Sequence, residues 1–234
     1  MFIKEIIALI RKEFLLEWKQ KYALNGLLLY VVSMVVVVSL AFFDKLVPEE
    51  GEAITISLLT FSTHVWNILF WIILLFIAIN AIAKSFMGES SGQLLYQYTL
   101  ARPSAIILSR ILYNTLLLVF VGLVTLFLYM FLSQTKILNL PLFLLAVFLG
   151  GFAFAANLTL ISAIAAKAEN KMTLLAVLSF PVIVPVLLSL IRLGQQAISG
   201  FGLADNLNRV ILIGGLSIVL ALVSVLLFPF VWRD

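Results

Sequence analysis

Ser90 stands in the run Gly88-Glu89-Ser90-Ser91-Gly92, which fits G-x-S-x-G. In an esterase that spacing lifts a serine hydroxyl onto a sharp strand-to-helix turn, within reach of a histidine base. Shifted by one residue, Glu89-Ser90-Ser91-Gly92-Gln93 is similar to the L-S-G-G-Q signature of ABC ATPases. Both chemistries fail on their surroundings. Residues 61–83 ahead of the motif are a continuous apolar run, the pattern of a helix rather than a strand. The chain's one histidine, His64, lies more than six helical turns away, over about 32 Å. There is no G-x-x-x-x-G-K-[ST] to cradle phosphates, and no length outside the apolar runs for a nucleotide-binding domain. With no cysteine, thiol catalysis, thiolate metal sites and disulfides are excluded. The apolar runs hold no paired carboxylates, no Ser–His pair and no metal-ligand cluster. No catalytic or metal-binding residue is therefore assigned, and the chain is not expected to be an enzyme.

The elements that position these residues follow from composition. The chain is 64% hydrophobic, only 11% charged, and has a mean hydropathy of +1.20. A soluble domain carries about 25% charged residues. The expectation is an all-α integral membrane protein, one domain over 1–234. A helix needs about 20 apolar residues to cross a bilayer, and six stretches qualify: 22–43, 61–83, 105–132, 140–166, 172–193 and 207–232. With the N-terminus in the cytoplasm, Lys4, Arg11, Lys12, Lys19, Lys21, Lys84, Arg102, Arg110, Lys167, Lys171 and Arg233 lie inside. Lys45, Lys136, Arg192 and Arg209 then lie outside. This asymmetry obeys the positive-inside rule and predicts that both termini are cytoplasmic. The charge of +4 thus follows topology and gives no sign of a nucleic-acid partner.

Within 1–21 the charges are spread out, unlike a signal peptide. Ile3, Ile7, Ile10, Phe14 and Trp18 recur at helical spacing, predicting an amphipathic helix along the membrane face with Trp18 among the headgroups. The stretch 22–232 is the six-span bundle. Its longest cytoplasmic connection, 84–104, reads as a Gly-bracketed turn, then two helical turns over 93–100, stopped by Pro103. It is either a docking element for a soluble partner or a plain return loop. Pro181 and Pro185 predict a kinked fifth span, as a hinge or as fixed shape. His64 beside Trp66 is either a haem contact, imidazole being an iron ligand, or an interfacial anchor pair. Asn67, Asn80, Asn114 and Asn157 are expected to bond between helices. Gly150, Gly151, Ala153, Ala155, Ala156 and Ala163 suit close packing, within the chain or across a homodimer. The stretch 194–206 is too polar to span and is expected to form an outer loop or short interfacial helix. Deep-membrane charges are expected to be absent.

Three segments together resemble the haem exporter protein B family (CcmB), permease subunits of an ABC transporter of cytochrome c maturation. The first is Arg11-Lys12-Glu13-Phe14-Leu15-Leu16-Glu17-Trp18. The second is Phe86-x-x-Glu89-x-x-Gly92-x-Leu94, followed by Pro103 and by Ser109-Arg110 opening a span. The third is Leu178-Ser179-Phe180-Pro181-Val182-Ile183-Val184-Pro185. The chain departs from the family in having Ser90, Ser91 and Leu95 where many members are acidic. The resemblance implies six spans of the ABC-2 exporter type and an N-terminal interfacial helix. It implies a coupling helix in the first cytoplasmic loop, with Phe86, Glu89, Gly92, Leu94 and Tyr98 at the joint. It further implies a separate ATPase, two per complex, haem-handling membrane partners, and the bacterial inner membrane. Haem would be a substrate or transient ligand, and ATP would bind only the partner. An ABC-2 permease for another substrate, such as a lipid or glycan, and a non-transporting scaffold of a haem-delivery complex remain open alternatives.

Overall fold

Among the described residues, every regular element in the computed structural model is a helix. The structure describes residues 2–19, 21–43, 55–87, 101–133, 136–166, 168 and 170–231. The helices are α1 (Phe2–Lys19), α2 (Lys21–Phe43), α3 (Thr55–Met87), α4 (Pro103–Ser133), α5 (Leu140–Ala165), α6 (Lys171–Ile198) and α7 (Leu203–Val231). Five of them, α3 to α7, are long and apolar enough to cross a membrane, and α2 contributes a shorter apolar stretch, Asn25–Leu40. This is an all-α, multi-pass membrane architecture of about six spans.

The bundle is built around α5. Of the apolar stretch of α5, 78% is buried, against 22% for α7, so α5 is the axis and its neighbours form the wall. That placement explains a helix apolar on every side. The wall helices are apolar outside as well. On α4, Leu112, Leu116, Phe120, Leu123, Phe127 and Phe131 are all exposed, at spacings of three and four that draw one outward stripe. An apolar stripe of that length is tolerable only in lipid.

Lipid supplies no hydrophobic drive between helices, so close approach must hold them together. A Cβ added to Gly150 would stand 2.6 Å from Trp71 Cζ3, and one at Gly151 would stand 2.9 Å from Val119 Cγ2. The small residues of α5 therefore serve packing against α3 and α4 inside this chain.

One of the expectations about the end of the bundle remote from α1 needs correction. The polar stretch 194–206 is not a free loop. Helix α6 continues to Ile198 and α7 begins at Leu203. Gln195 lies within α6, and its side chain meets His64, as described below. The turn is a Schellman closure: Phe201 N–H donates to Gln196 O at 3.0 Å and Gly200 N–H to Ala197 O at 3.3 Å, with Gly200 at φ +87°. Asn139 then ties this turn to the start of α5. Its Oδ1 accepts from Leu142 N at 3.2 Å, its Nδ2 donates to Phe201 O at 2.8 Å, and its N–H donates to Ala197 O at 3.0 Å.

Helix α6 runs unbroken past Pro181 and Pro185. Both prolines face outward, so the rings crowd no neighbour, while each still withholds a donor from the carbonyl four residues earlier.

Candidate functional site

The residues singled out by sequence fall into three places. Glu89, Gly92, Leu94 and Tyr98, with the whole G-x-S-x-G run, lie outside the described residues. Phe86 is in the last turn of α3. The helix order brings both ends of the 88–100 segment to the α1 end of the bundle, between Met87 and Ala101.

At the opposite end, the structure separates His64 from Trp66. His64 is exposed, and its Nδ1 lies 3.2 Å from Gln195 Oε1. Trp66 is buried, stacked on Tyr129 with ring centroids 4.8 Å apart and on Phe70 at 6.1 Å. Phe143 and Trp71 complete an aromatic cluster across α3, α4 and α5. The expectation of Trp66 as a headgroup anchor is therefore overturned: two residues apart on a helix means about 200° apart on its surface, and only His64 faces out. As a haem contact Trp66 would have to leave this stack.

Beneath the aromatics sits a buried polar knot. Trp71 Nε1 donates to Asn67 Oδ1 at 3.1 Å, and Asn67 Nδ2 donates to Ile191 O on α6 at 2.7 Å. Gly194 makes the knot possible, since a Cβ there would overlap Asn67 Oδ1 and lie 2.8 Å from Trp71 Nε1. This is one of the interhelical asparagine bonds expected from sequence. Asn114 supplies another, from its Nδ2 to Thr159 Oγ1 on α5 at 2.9 Å. Asn80 instead bonds Phe76 O in its own helix at 2.9 Å. Asn157 is buried, and its Nδ2 has no hydrogen-bond partner among the described residues.

The α1 end is where chemistry-bearing groups gather. Ile6 is buried, and Leu9 packs on the cluster of Ile106, Ile107 and Ile111, so α1 lies against α4. The same face of α1 carries Glu13 and Glu17, and Glu17 accepts a hydrogen bond from Tyr113 of α4, with Glu13 nearby. One turn before Tyr113 stands Arg110, only 1% exposed. Arg110 is seven residues into α4, about 10 Å from the helix start. Ser162 Oγ donates to Ile82 O at 3.3 Å and Ser224 Oγ to Ala156 O at 3.5 Å. This end thus holds a hydrogen-bonded seam joining α1, α4, α5, α3 and α7.

Sequence reasoning put Ser109-Arg110 at the opening of a span and expected Asn114 to bond between helices, but it missed the burial of Arg110 and the rest of the seam. The available signal was the polar spacing Ser109, Arg110, Tyr113, Asn114 opening an otherwise apolar helix, one face of polar groups at i, i+3 and i+4. Among the described residues no group of three or more His, Asp or Glu side chains converges on a point. A buried cation is costly to desolvate, which sets Arg110 apart from the exposed Lys and Arg side chains of α1. Compared with protein-family models and with curated proteins, the chain matches none.

Proposed function

We propose that the chain is the permease subunit of an ABC transporter complex acting in cytochrome c biogenesis in the bacterial inner membrane, with both termini cytoplasmic. It exports haem or drives release of a haem-loaded chaperone, and works with a separate ATPase, two copies per complex, and with haem-handling membrane proteins. One observation carries this reading. Three segments similar to the haem exporter protein B family occur in the family's order, at the N-terminal helix, the 86–110 junction and the helix bearing Pro181 and Pro185.

The layout of the bundle supports it. The 84–104 segment joins α3 to α4 at the end where α1 lies against α4. A short element there can seat in a groove of the ATPase, with Glu89 paired to a basic residue and Leu94 and Tyr98 as apolar anchors. Motion then passes through Phe86 into α3 and through Pro103 into α4, whose opening turns are bonded to α1 and α5. Pro181 and Pro185 give α6 two weakened hydrogen-bond positions at which to bend.

The test is purification of the tagged chain from native membranes in mild detergent, with mass spectrometry and an absorption spectrum. A Walker-motif ATPase with haem-handling membrane partners is the expected company. Glu89→Lys is expected to lose the ATPase while the purified chain stays folded. Unchanged ATPase recovery and unchanged cytochrome c yield refute the coupling role.

A further inference from the structure

The charges of α1 are sorted by direction. Glu13 and Glu17 turn toward α4, as the contact with Tyr113 shows, and Glu5 Oε2 is buried. Lys4, Arg11 and Lys19 are exposed. They follow one another along one flank, spanning about 22 Å of helix. Lys12 stands at the edge of that flank, 3.5 Å from Glu13, and so is partly neutralised. Next to the cations runs the stripe Ile3, Ile7 and Phe14, at 70%, 60% and 60% exposure. Lys4, Arg11, Lys19, Ile7 and Leu15 border a single open groove along the helix.

An amphipathic helix needs only an apolar face to lie on a bilayer. It does not need its acids hidden and its cations shown. We propose that the outer flank of α1 is a binding site for anionic phospholipid, with lipid phosphates held by Lys4, Arg11 and Lys19 and acyl chains against Ile3, Ile7 and Phe14. Charge complementarity selects this occupant. A zwitterionic headgroup brings its own cation to the three already there, and a soluble acidic partner leaves the apolar stripe uncovered. The inward acids keep their pairing with α4, so headgroup binding and docking of α1 do not compete. The inference is independent of the transported substrate and of the ATPase.

The chain has no cysteine, so Ala8→Cys, placed among the cations, carries a single fluorescent label in the full-length protein. It is reconstituted in nanodiscs of phosphatidylcholine containing a minor fraction of brominated phosphatidylglycerol or, separately, the same fraction of brominated phosphatidylcholine. Quenching by the anionic lipid is expected to report about fivefold local enrichment or more, the effect of a single cation at an anionic surface. Lys4→Gln/Arg11→Gln/Lys19→Gln is expected to make the two lipids equivalent, whereas Lys136→Gln at the far end changes nothing. Should the triple variant fail to fold, the parent protein decides: its preference must fall steeply as salt is raised to about 1 M. Equal quenching by the two lipids in the parent, or a preference that survives the triple substitution or high salt, overturns the proposal.

Discussion

Replacing Asn67 by Leu tests whether the knot between α3 and α6 holds the bundle by hydrogen bonding or only fills space. The two partners of Asn67 are not equally hurt. Ile191 O sits inside α6 and retains its helical lone-pair use, so losing the 2.7 Å bond from Asn67 Nδ2 costs little. The Trp71 indole has a single donor, fully buried, whose acceptor is Asn67 Oδ1 at 3.1 Å. Interhelical bonds in lipid average about 0.6 kcal/mol, while a buried donor left unmade costs about 1–3 kcal/mol. The second term decides, and Asn67→Leu is expected to destabilise by about 1–3 kcal/mol, because added apolar volume gains nothing over lipid. Steric trapping in bicelles suits the measurement, with label-bearing cysteines introduced at the exposed positions Lys136 and Ser199 of the otherwise cysteine-free chain. The double variant Asn67→Leu/Trp71→Phe removes the stranded donor together with its acceptor. It is expected to show a coupling of at least about 0.5 kcal/mol relative to the two single changes. An Asn67→Leu protein as stable as the parent, or strict additivity in the cycle, refutes the reasoning and leaves shape as the only role of the knot.

Gly150→Ala is expected to cost about 1–3 kcal/mol by overpacking, since its Cβ meets Trp71 Cζ3. Gly215→Ala, with open space around it, is expected to be neutral or mildly stabilising in the same steric-trapping assay. Gly200→Ala forces a Cβ into the left-handed region at φ +87° and is expected to cost about 1–2 kcal/mol, read as a lower thermal midpoint by size-exclusion of heated, detergent-solubilised protein.

The spans were legible because bilayer thickness imposes length and apolarity, properties written directly in residues such as 140–165. Their ends were less so. Polarity says what lipid rejects, not where a helix stops, and Gln195 is helical with its side chain against His64 across the bundle. Trp66 was misjudged for a similar reason: an aromatic near a span's end satisfies a headgroup or a core equally well on paper, and only the rings of Tyr129 and Phe143 decide. The burial of Arg110 was not legible because the tally of signs registers sequence position, not packing. The stripe of α1 was legible from period alone, and Ile3, Ile7 and Phe14 do face outward. That its acids turn the other way depends on Tyr113, nearly a hundred residues on, and no local pattern carries that.

The position of α5 has a consequence for biogenesis. Among the described helices it follows α1 to α4 in synthesis and precedes α6 and α7, yet it ends at the centre. When it enters the bilayer, α3 and α4 already offer Trp71 and Val119 to its glycines. The surfaces later taken by Leu190 of α6 and Ser224 of α7 are still bare. A nascent chain stopped after Ala165 therefore leaves the Leu190 side of Gly150 and the Ala156 carbonyl uncovered, an incomplete surface that invites wrong partners. The last two helices act as the closing staves of a cask. Quality control that monitors this chain has a natural checkpoint at the arrival of α7, and truncations near the C-terminus should be degraded more readily than their few missing contacts suggest.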